Sequence, residues 1–149
     1  MEAIIAISNN GIIGEGSGLP WHCTEDLQHF KQYTYGKTII AGTNTIVGLP
    51  KLPKRTIIQL GSGSKLPNAD DICHTPESTF CRYPTGIVIG GAKTIQAMLL
   101  YVNKLVVTHL DIFVEPKANS VYFDIPAGWV ENKSYELSDI AVVREYVKC

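Results

Sequence analysis

Between Gly14 and Thr34 the chain reads GEGSGLPWHCTEDLQHFKQYT. Its carboxylate Asp26 shares a helical face with Phe30, and that face continues to Tyr33 and Thr34. Leu27 lies beside this stripe, and Glu25 is turned about 100° away from Asp26. The two adjacent acids should therefore meet different surroundings. Spacing leaves two readings of Asp26. It complements the positive end of a helix, or it is a buried carboxylate that binds a cationic or amidine-like group or assists a proton transfer. Burial would raise its pKa, whereas the helix terminus and hydrogen bonds to its charged form would lower it. The loop before it holds Gly14, Gly16 and Gly18, which fit a plain flexible loop or a mobile lid. Leu19-Pro20-Trp21 fixes the loop's exit.

Two further segments repeat one arrangement. In TIIAGTNT a strand ends at Gly42 and a helix starts around Thr43–Thr45. In VIGGAKT a strand runs into Gly90-Gly91, and a helix starts with Lys93 nearby. Free backbone N–H groups at such helix starts suit a phosphate. Neither segment is G-x-G-x-x-G or a Walker loop, so each alone reads equally as a tight strand-to-helix turn. Two on one sheet would fit a dinucleotide with its central pyrophosphate. Arg55, after LPKLPK, opens a strand. It is either solvated or a bidentate clamp on a carboxylate.

The elements that must position these residues alternate along the chain. Ala3–Ser8 is a short apolar run bounded by NNG and reads as a buried strand. A helix follows at about Glu25–Thr34, with Thr24 as its cap and Glu25 and Asp26 favouring its positive end. Thr38–Gly42 is a second strand, and residues 43–49 form one or two helical turns stopped by Pro50 and Pro53. Arg55–Leu60 is a third strand, followed by a surface turn region, GSGSKLPNADD, and a helix near Pro76–Tyr83. Gly86–Gly91 is a fourth strand, Ala92–Val102 a helix, and Lys104–Val114 a long strand. WVENKSYEL and AVVREYVK read as a closing antiparallel pair. This β-α-β order with near-continuous apolar strands implies an α/β fold: a mainly parallel sheet with helices on both faces and an antiparallel edge hairpin.

The bulk properties agree with that class. A chain of 149 residues favours one domain, here 1–149, and buries about 68–70% of its unfolded surface. Apolar residues make up 45% and charged residues 18%, ordinary values for a globular enzyme. The net charge of −1, without a basic block, argues against nucleic acid or an anionic membrane as partner. Cys23, Cys73, Cys81 and Cys149 show no C-x-x-C spacing and no His at ligand spacing. They are expected to be reduced structural thiols, with no metal site. The start MEAIIAISNNGIIG has an acidic residue and no basic n-region, so no secretory signal is expected, and no apolar run reaches the ~20 residues of a membrane span. A cytoplasmic protein is expected.

Taken in order, these residues resemble the dihydrofolate reductase family. The match is Ile13-Gly14, four residues, Leu19-Pro20-Trp21, four residues, Asp26, three residues, Phe30, three residues, Thr34. AGTNT, LPKLPKR, VIGGAKTI and VTHLD extend it from about Ala3 to Asp124. The resemblance implies a three-layer fold with a twisted sheet of about eight strands. It implies reduction of 7,8-dihydrofolate to tetrahydrofolate with NADPH, by hydride transfer to C6 and protonation at N5, in a protein expected to be a monomer. Asp26, Thr108 and Trp21 would form the catalytic group, with Asp26 on the pterin's N3 and 2-amino group. Ile4 and Ile89 would offer carbonyls to the pterin, beside Ala6. Leu27, Phe30, Leu49 and Leu52 would wall the rings, and Arg55 would clamp the glutamate carboxylate.

For the cofactor, the resemblance assigns Ala6, Ile13, Gly14 and Leu19 to the nicotinamide side, with Gly14–Leu19 as lid. Gly42, Thr43, Asn44 and Thr45, with Gly90, Gly91, Ala92, Lys93 and Thr94, would hold the phosphates. Leu60, Gly61 and Ser62 would take the adenosine side. A cis peptide between Gly90 and Gly91 is also implied. Thr43 stands where the family commonly has the arginine that pairs with the 2′-phosphate, which leaves Lys93, Ser62 and Lys65 for that contact and NADH open as cofactor. Ile95 stands where the family usually has a tyrosine. The alternatives are another pterin or pyrimidine reductase on this fold, such as that of riboflavin synthesis, and a folate-binding structural protein with little activity.

Overall fold

Runs such as AIIAI, TIIAG and LVVTHL are apolar at successive positions, so as strands they must be covered on both faces. The structure is a computed structural model that describes residues 1–15, 18–50 and 52–149. In chain order it forms β1 (Glu2–Ile7), β2 (Ile12–Glu15), α1 (Thr24–Thr34), β3 (Thr38–Gly42), α2 (Thr43–Val47), β4 (Thr56–Leu60), β5 (Asp71–Cys73), α3 (Pro76–Arg82), β6 (Ile87–Gly90), α4 (Ala92–Met98), β7 (Lys104–Leu110), β8 (Ser120–Tyr122), β9 (Trp129–Ser138) and β10 (Ala141–Lys148). Eight strands join in the order β5-β4-β3-β6-β1-β7-β10-β9. All neighbours from β5 to β7 are parallel, and β10 and β9 close the sheet antiparallel. The α/β architecture and its antiparallel edge hairpin are as the sequence implied.

Alternation along the strands divides the core. Ala3, Ile5, Ile40, Val88, Leu105 and Val107 point to one face, where Ile95 and Met98 of α4 cover them. Ile4, Ile87, Val106 and Val143 point to the other, under Phe30 and Tyr33 of α1. Ile39, Ala41 and Ile57 continue that second face beneath Ile46 of α2. Ile95 is thus wholly buried in the main core. Its side chain packs against apolar neighbours.

Several boundaries differ from expectation. Thr24 is the first helical residue and does not cap α1; Cys23 holds the cap position without a side-chain hydrogen bond. Cys23 is instead buried beside Leu110 and Ala141, so packing fixes the helix entry. Asp71–Cys73, inside and just past the expected turn region, forms an edge strand on β4. The strand beginning at Lys104 stops at Leu110, short of Val114. Asn10 takes over the Val114 backbone there: its Nδ2 donates to the Val114 carbonyl at 2.8 Å, and its Oδ1 accepts from the Val114 N–H at 3.1 Å. α4 ends at Met98, and residues 99–101 continue as a turn. A small antiparallel pair, β2 with β8, was not anticipated. Its strands are too short to show a period.

One buried polar side chain ties the sheet to its loops. Gln59 is fully buried in β4. Its Nε2 donates to Thr43 Oγ1 and to the Ser64 carbonyl, both at 3.2 Å, and its Oε1 accepts from the Leu66 N–H at 2.8 Å. Gln59→Leu keeps the volume but leaves those partners unpaired. It should lower stability by about 1–3 kcal/mol, read as a lower urea midpoint at unchanged slope. An unaltered midpoint would show that the amide does not anchor the loop.

Candidate active site

The site is built where α1 crosses the sheet. Pairing register sets Tyr135, Val143, Thr108 and Ala6 in one row across β9, β10, β7 and β1. Asp26 descends from the first turn of α1 towards Thr108 and is half-buried, while Glu25 is exposed. The different surroundings expected for the two acids are therefore present. Burial raises the Asp26 carboxyl above its ordinary value; the Thr108 hydroxyl and the His29 imidazole pull it back down. Thr108 Oγ1 is itself buried and has no hydrogen-bond partner among the described residues. A lone buried hydroxyl beside a desolvated carboxylate is costly and suits a polar ligand edge that satisfies both.

Apolar side chains surround this polar pair. Phe30 and Ile89, both half-buried, pack against Ile4, Val106 and Val143, and also against Ile39, Ala41 and Leu52. Leu49 joins the second group. Trp21 and Ala6 pack together with Cys23 and Leu110 at the other end of α1. β1 and β6 pair only at Glu2–Ile87 and Ala3–Val88. Past those pairs the strands part, at Ile4 and Ile89, which is the kind of opening where α/β sheets take ligands. Leu27 is 38% exposed, so it stands at the edge of this surface.

Arg55 precedes β4 and is held against the end of α1. Its Nε donates to Thr34 Oγ1 at 3.3 Å, Nη1 to the Pro53 carbonyl at 2.7 Å, and Nη2 to the Lys31 carbonyl. Thr34 in turn donates to the Phe30 carbonyl at 2.8 Å. The guanidinium lies 5.5 Å from the Tyr35 ring. Three of its five N–H donors are thereby used for positioning, and no carboxylate among the described residues pairs with it.

The two glycine turns converge because β3 and β6 are neighbours, with Ala41 opposite Gly90. A Cβ at Gly42 would sit 2.5 Å from Thr94 Oγ1, and one at Gly61 would sit 2.6 Å from Thr43 Oγ1. Thr45 Oγ1 faces Gly90 and Gly91, whose added Cβ atoms would lie 3.6 and 3.5 Å away. Gly90 has φ +145° and the Gly90–Gly91 peptide is cis. Glycine and threonine thus form a tight, side-chain-poor cradle fit for a phosphate-bearing group. Asn44, Ser62 and Lys93 are exposed at its margin, Ala92 is buried beneath it, and Leu60 packs into the core. Lys65 turns back on its own loop, donating to the Leu66 and Ala69 carbonyls at 3.2 and 2.6 Å.

Gly14 is buried in β2 and Ile13 packs on the core, whereas Leu19 is 61% exposed. Glu15 and Gly18 exchange backbone hydrogen bonds of 2.9 and 3.0 Å. Gly16 and Ser17, the middle of the expected lid, lie outside the described residues. Sequence reading missed His29 and Tyr135. His29 follows Asp26 by three residues, so helical spacing could have found it; Tyr135 lies 106 positions from His29 and left no local signal.

A dihydrofolate reductase family model matches residues 1–141. A dihydrofolate reductase of Buchnera aphidicola subsp. Acyrthosiphon pisum (strain APS) is 41% identical over 119 residues, covering 75% of this chain and 73% of that protein. One from Bacillus subtilis (strain 168) is 35% identical over 120 residues, covering 72% and 67%. The solved dihydrofolate reductase from Enterococcus faecalis, complexed with NADP(H) and RAB-propyl, superposes with a TM-score of 0.85 at 25% identity, covering 99% of this chain and 95% of that one. A family match across nearly the whole chain, on a sheet that brings Asp26 to Thr108 and the two glycine turns together, establishes that this chain belongs to the dihydrofolate reductase family.

Proposed function

We propose that the protein reduces 7,8-dihydrofolate to 5,6,7,8-tetrahydrofolate with NADPH, with Asp26 as the residue that recognises the pterin. The observation that carries this is the half-buried Asp26 carboxyl beside the unpartnered Thr108 hydroxyl. A pterin presents N3–H and a 2-amino group side by side. Two carboxylate oxygens accept both in a charge-assisted fork, and Thr108 gains its missing partner at the same edge. Phe30, Ile4 and Ile89 supply apolar contact for the rings, and Leu49 and Leu52 lie further along towards Arg55. The remaining N–H donors of Arg55 suit the substrate's carboxylate.

NADPH, when bound, supplies the hydride that C6 accepts. Gly42–Thr45 and Gly90–Thr94 would hold its phosphates through backbone N–H groups and threonine hydroxyls, where absent side chains let the chain approach closely. Leu60–Ser62 would line the adenosine side, and Ala6, Ile13, Gly14 and Leu19 the nicotinamide side beside Trp21. Thr43 carries no charge and its hydroxyl accepts from Gln59, so Lys93 is the exposed cation left for a 2′-phosphate. Asp26 has its own task in the reduction. At N3 and the 2-amino group it would promote protonation at N5, by handing over the proton or by raising the basicity of N5 while water supplies it.

Both ligand surfaces belong to one sheet of one chain, which supports a single-domain monomer. All four cysteines are free thiols, in keeping with a reducing, cytoplasmic setting. No helix among the described residues is long and apolar enough to cross a membrane.

The direct test follows cofactor absorbance with dihydrofolate and either NADPH or NADH. Oxidation faster with NADPH is expected, and Asp26→Asn should cut turnover by roughly 10²–10⁴-fold. Tight dihydrofolate binding without oxidation would overturn the reductase reading in favour of a binding protein. The same variant tests burial of the charge. Because the folded-state pKa of Asp26 is raised above 3.8, its stabilising contribution is complete below that value and is lost as pH rises through the folded value. Asp26→Asn should therefore resist urea better than the parent near pH 7, with the gap narrowing towards about pH 4. Arg55→Lys should raise the KM for dihydrofolate by about 10–100-fold, the loss of a charge-assisted fork. A pterin substrate without the glutamate should not register that change; if it does, Arg55 acts on the fold of α1 instead.

A further inference from the structure

The C-terminal ends of β3, β4 and β5 lie side by side, and α/β sheets take ligands beyond such ends. The last pairs in register there are Gly42 with Leu60 and Leu60 with Cys73. One residue further along each strand stand Thr43, Gly61 and His74. These three are joined. A Cβ at Gly61 would sit 2.6 Å from Thr43 Oγ1. The Gly61 N–H donates to the Cys73 carbonyl at 3.0 Å, and His74 Nδ1 lies 2.7 Å from the Gly61 carbonyl oxygen. A carbonyl only accepts, so Nδ1 carries the hydrogen and Nε2 is the free ring nitrogen. Gln59 fixes the same corner from below, through Thr43 and the Ser64 carbonyl. His74 is exposed, and nothing derived so far uses it.

The charged groups around this row are mostly engaged elsewhere. α2 contributes no titratable side chain. In the loop after β4, Lys65 donates to the Leu66 and Ala69 carbonyls, and Asp70 accepts from the Ile57 N–H at 2.7 Å. Asp71 of β5 is held by Arg82 and Tyr83. Glu77, in the first turn of α3, is exposed and forms no ion pair among the described residues. Lys93 of α4 is exposed at the margin of the glycine turns. His74 is thus the base hydrogen-bonded to the Thr43–Gly61 row itself.

We propose that His74 is a specificity-determining residue for the cofactor, its Nε2 meeting the phosphomonoester on the adenosine ribose. This rests on NADPH being the reductant and on Gly61 and Ser62 taking its adenosine side. A phosphomonoester carries about −1.5 to −2 charge at pH 7. Such a neighbour favours the protonated imidazole, which then offers both a charge and an N–H donor. The ribose hydroxyl of NADH calls for no cation. Histidine changes charge between about pH 5 and 8, so preference for the phosphorylated cofactor should decline as pH rises through that range.

The test is calorimetric titration of the ligand-free protein with adenosine 2′,5′-bisphosphate, adenosine 5′-monophosphate and inorganic phosphate. His74→Asn places its amide Nδ2 where Nδ1 stands, keeping the bond to Gly61, and has no Nε2. His74→Arg supplies a permanent cation. Near pH 6, His74→Asn should bind the bisphosphate about 3–10-fold more weakly than the parent, with the monophosphate unaffected. Near pH 8.5 the parent should match His74→Asn, whereas His74→Arg should still bind more tightly. The phosphate's own ionisation is common to all three proteins, so their ratios report the side chain. In turnover, His74→Asn should raise the KM for NADPH by a similar factor, without a matching change for NADH. The His74 imidazole resonance should titrate about half to one pH unit higher with the bisphosphate than with the monophosphate; if His74→Asn does not fold, this measurement on the parent decides. Equal losses for both nucleotides would reduce His74 to a prop for Gly61 and overturn the proposal. An unchanged bisphosphate affinity, or an equal resonance shift with inorganic phosphate alone, would also overturn it. Failure to oxidise NADPH with dihydrofolate would overturn the function proposed above and leave these binding ratios to be read separately.

Discussion

The desolvation of Asp26 is the constraint around which this molecule is organised. A carboxylate moved out of water loses hydration that no single neighbour replaces. Here it is only half-buried, faces one hydroxyl and lies near one imidazole. Such an arrangement is unfavourable in isolation and becomes favourable when a donor-rich ligand edge arrives. The surrounding fold must therefore be rigid enough to hold Asp26 in place without satisfying it. A sheet covered on both faces, with Ile39, Ile40, Val106 and Val107 wholly buried, provides that rigidity.

Rigidity at the two ends of α1 comes from different sources. At the start, Cys23 and Trp21 pack against Leu110 and Ala141 in place of a hydrogen-bonded cap. At the end, Thr34 and Arg55 tie the last turn to the loop before β4 through a chain of donors and carbonyls. The helix is thus fixed by apolar contact near the carboxylate, where competing donors would quench it, and by polar contact at the far end. Beneath its middle, Lys104 pairs with both Glu2 and Glu145, and Tyr33 donates to Glu2.

The cofactor half follows a different physical rule. Its residues are small because the backbone must come close to whatever binds, and threonine hydroxyls occupy the space that side chains at Gly42 and Gly61 would take. Gln59 connects this half to the core by holding both Thr43 and the loop through Ser64 and Leu66. The price for a buried amide is met by three hydrogen bonds, and the return is a loop of defined shape beside the glycine turns.

The sequence by itself determined the layered α/β plan, because consecutive apolar residues such as IIAI and VVT leave a strand no choice but double-sided burial. It also separated Asp26 from Glu25, since a 3.6-residue period is a local property. The spacing around Leu19-Pro20-Trp21, Asp26 and Phe30 carried the family, and with it the two ligand surfaces. Tertiary structure alone decided what spans large sequence separations. β5, the β2–β8 pair and the end of β7 at Leu110 depend on partners elsewhere in the chain, as Asn10 with Val114 illustrates. The replacement of a Thr24 cap by Cys23 packing depended on Leu110 and Ala141 being opposite. That Tyr135 shares a row with Thr108, where His29 of α1 meets it, was set by the register of β9, β10 and β7, a quantity that no local pattern encodes.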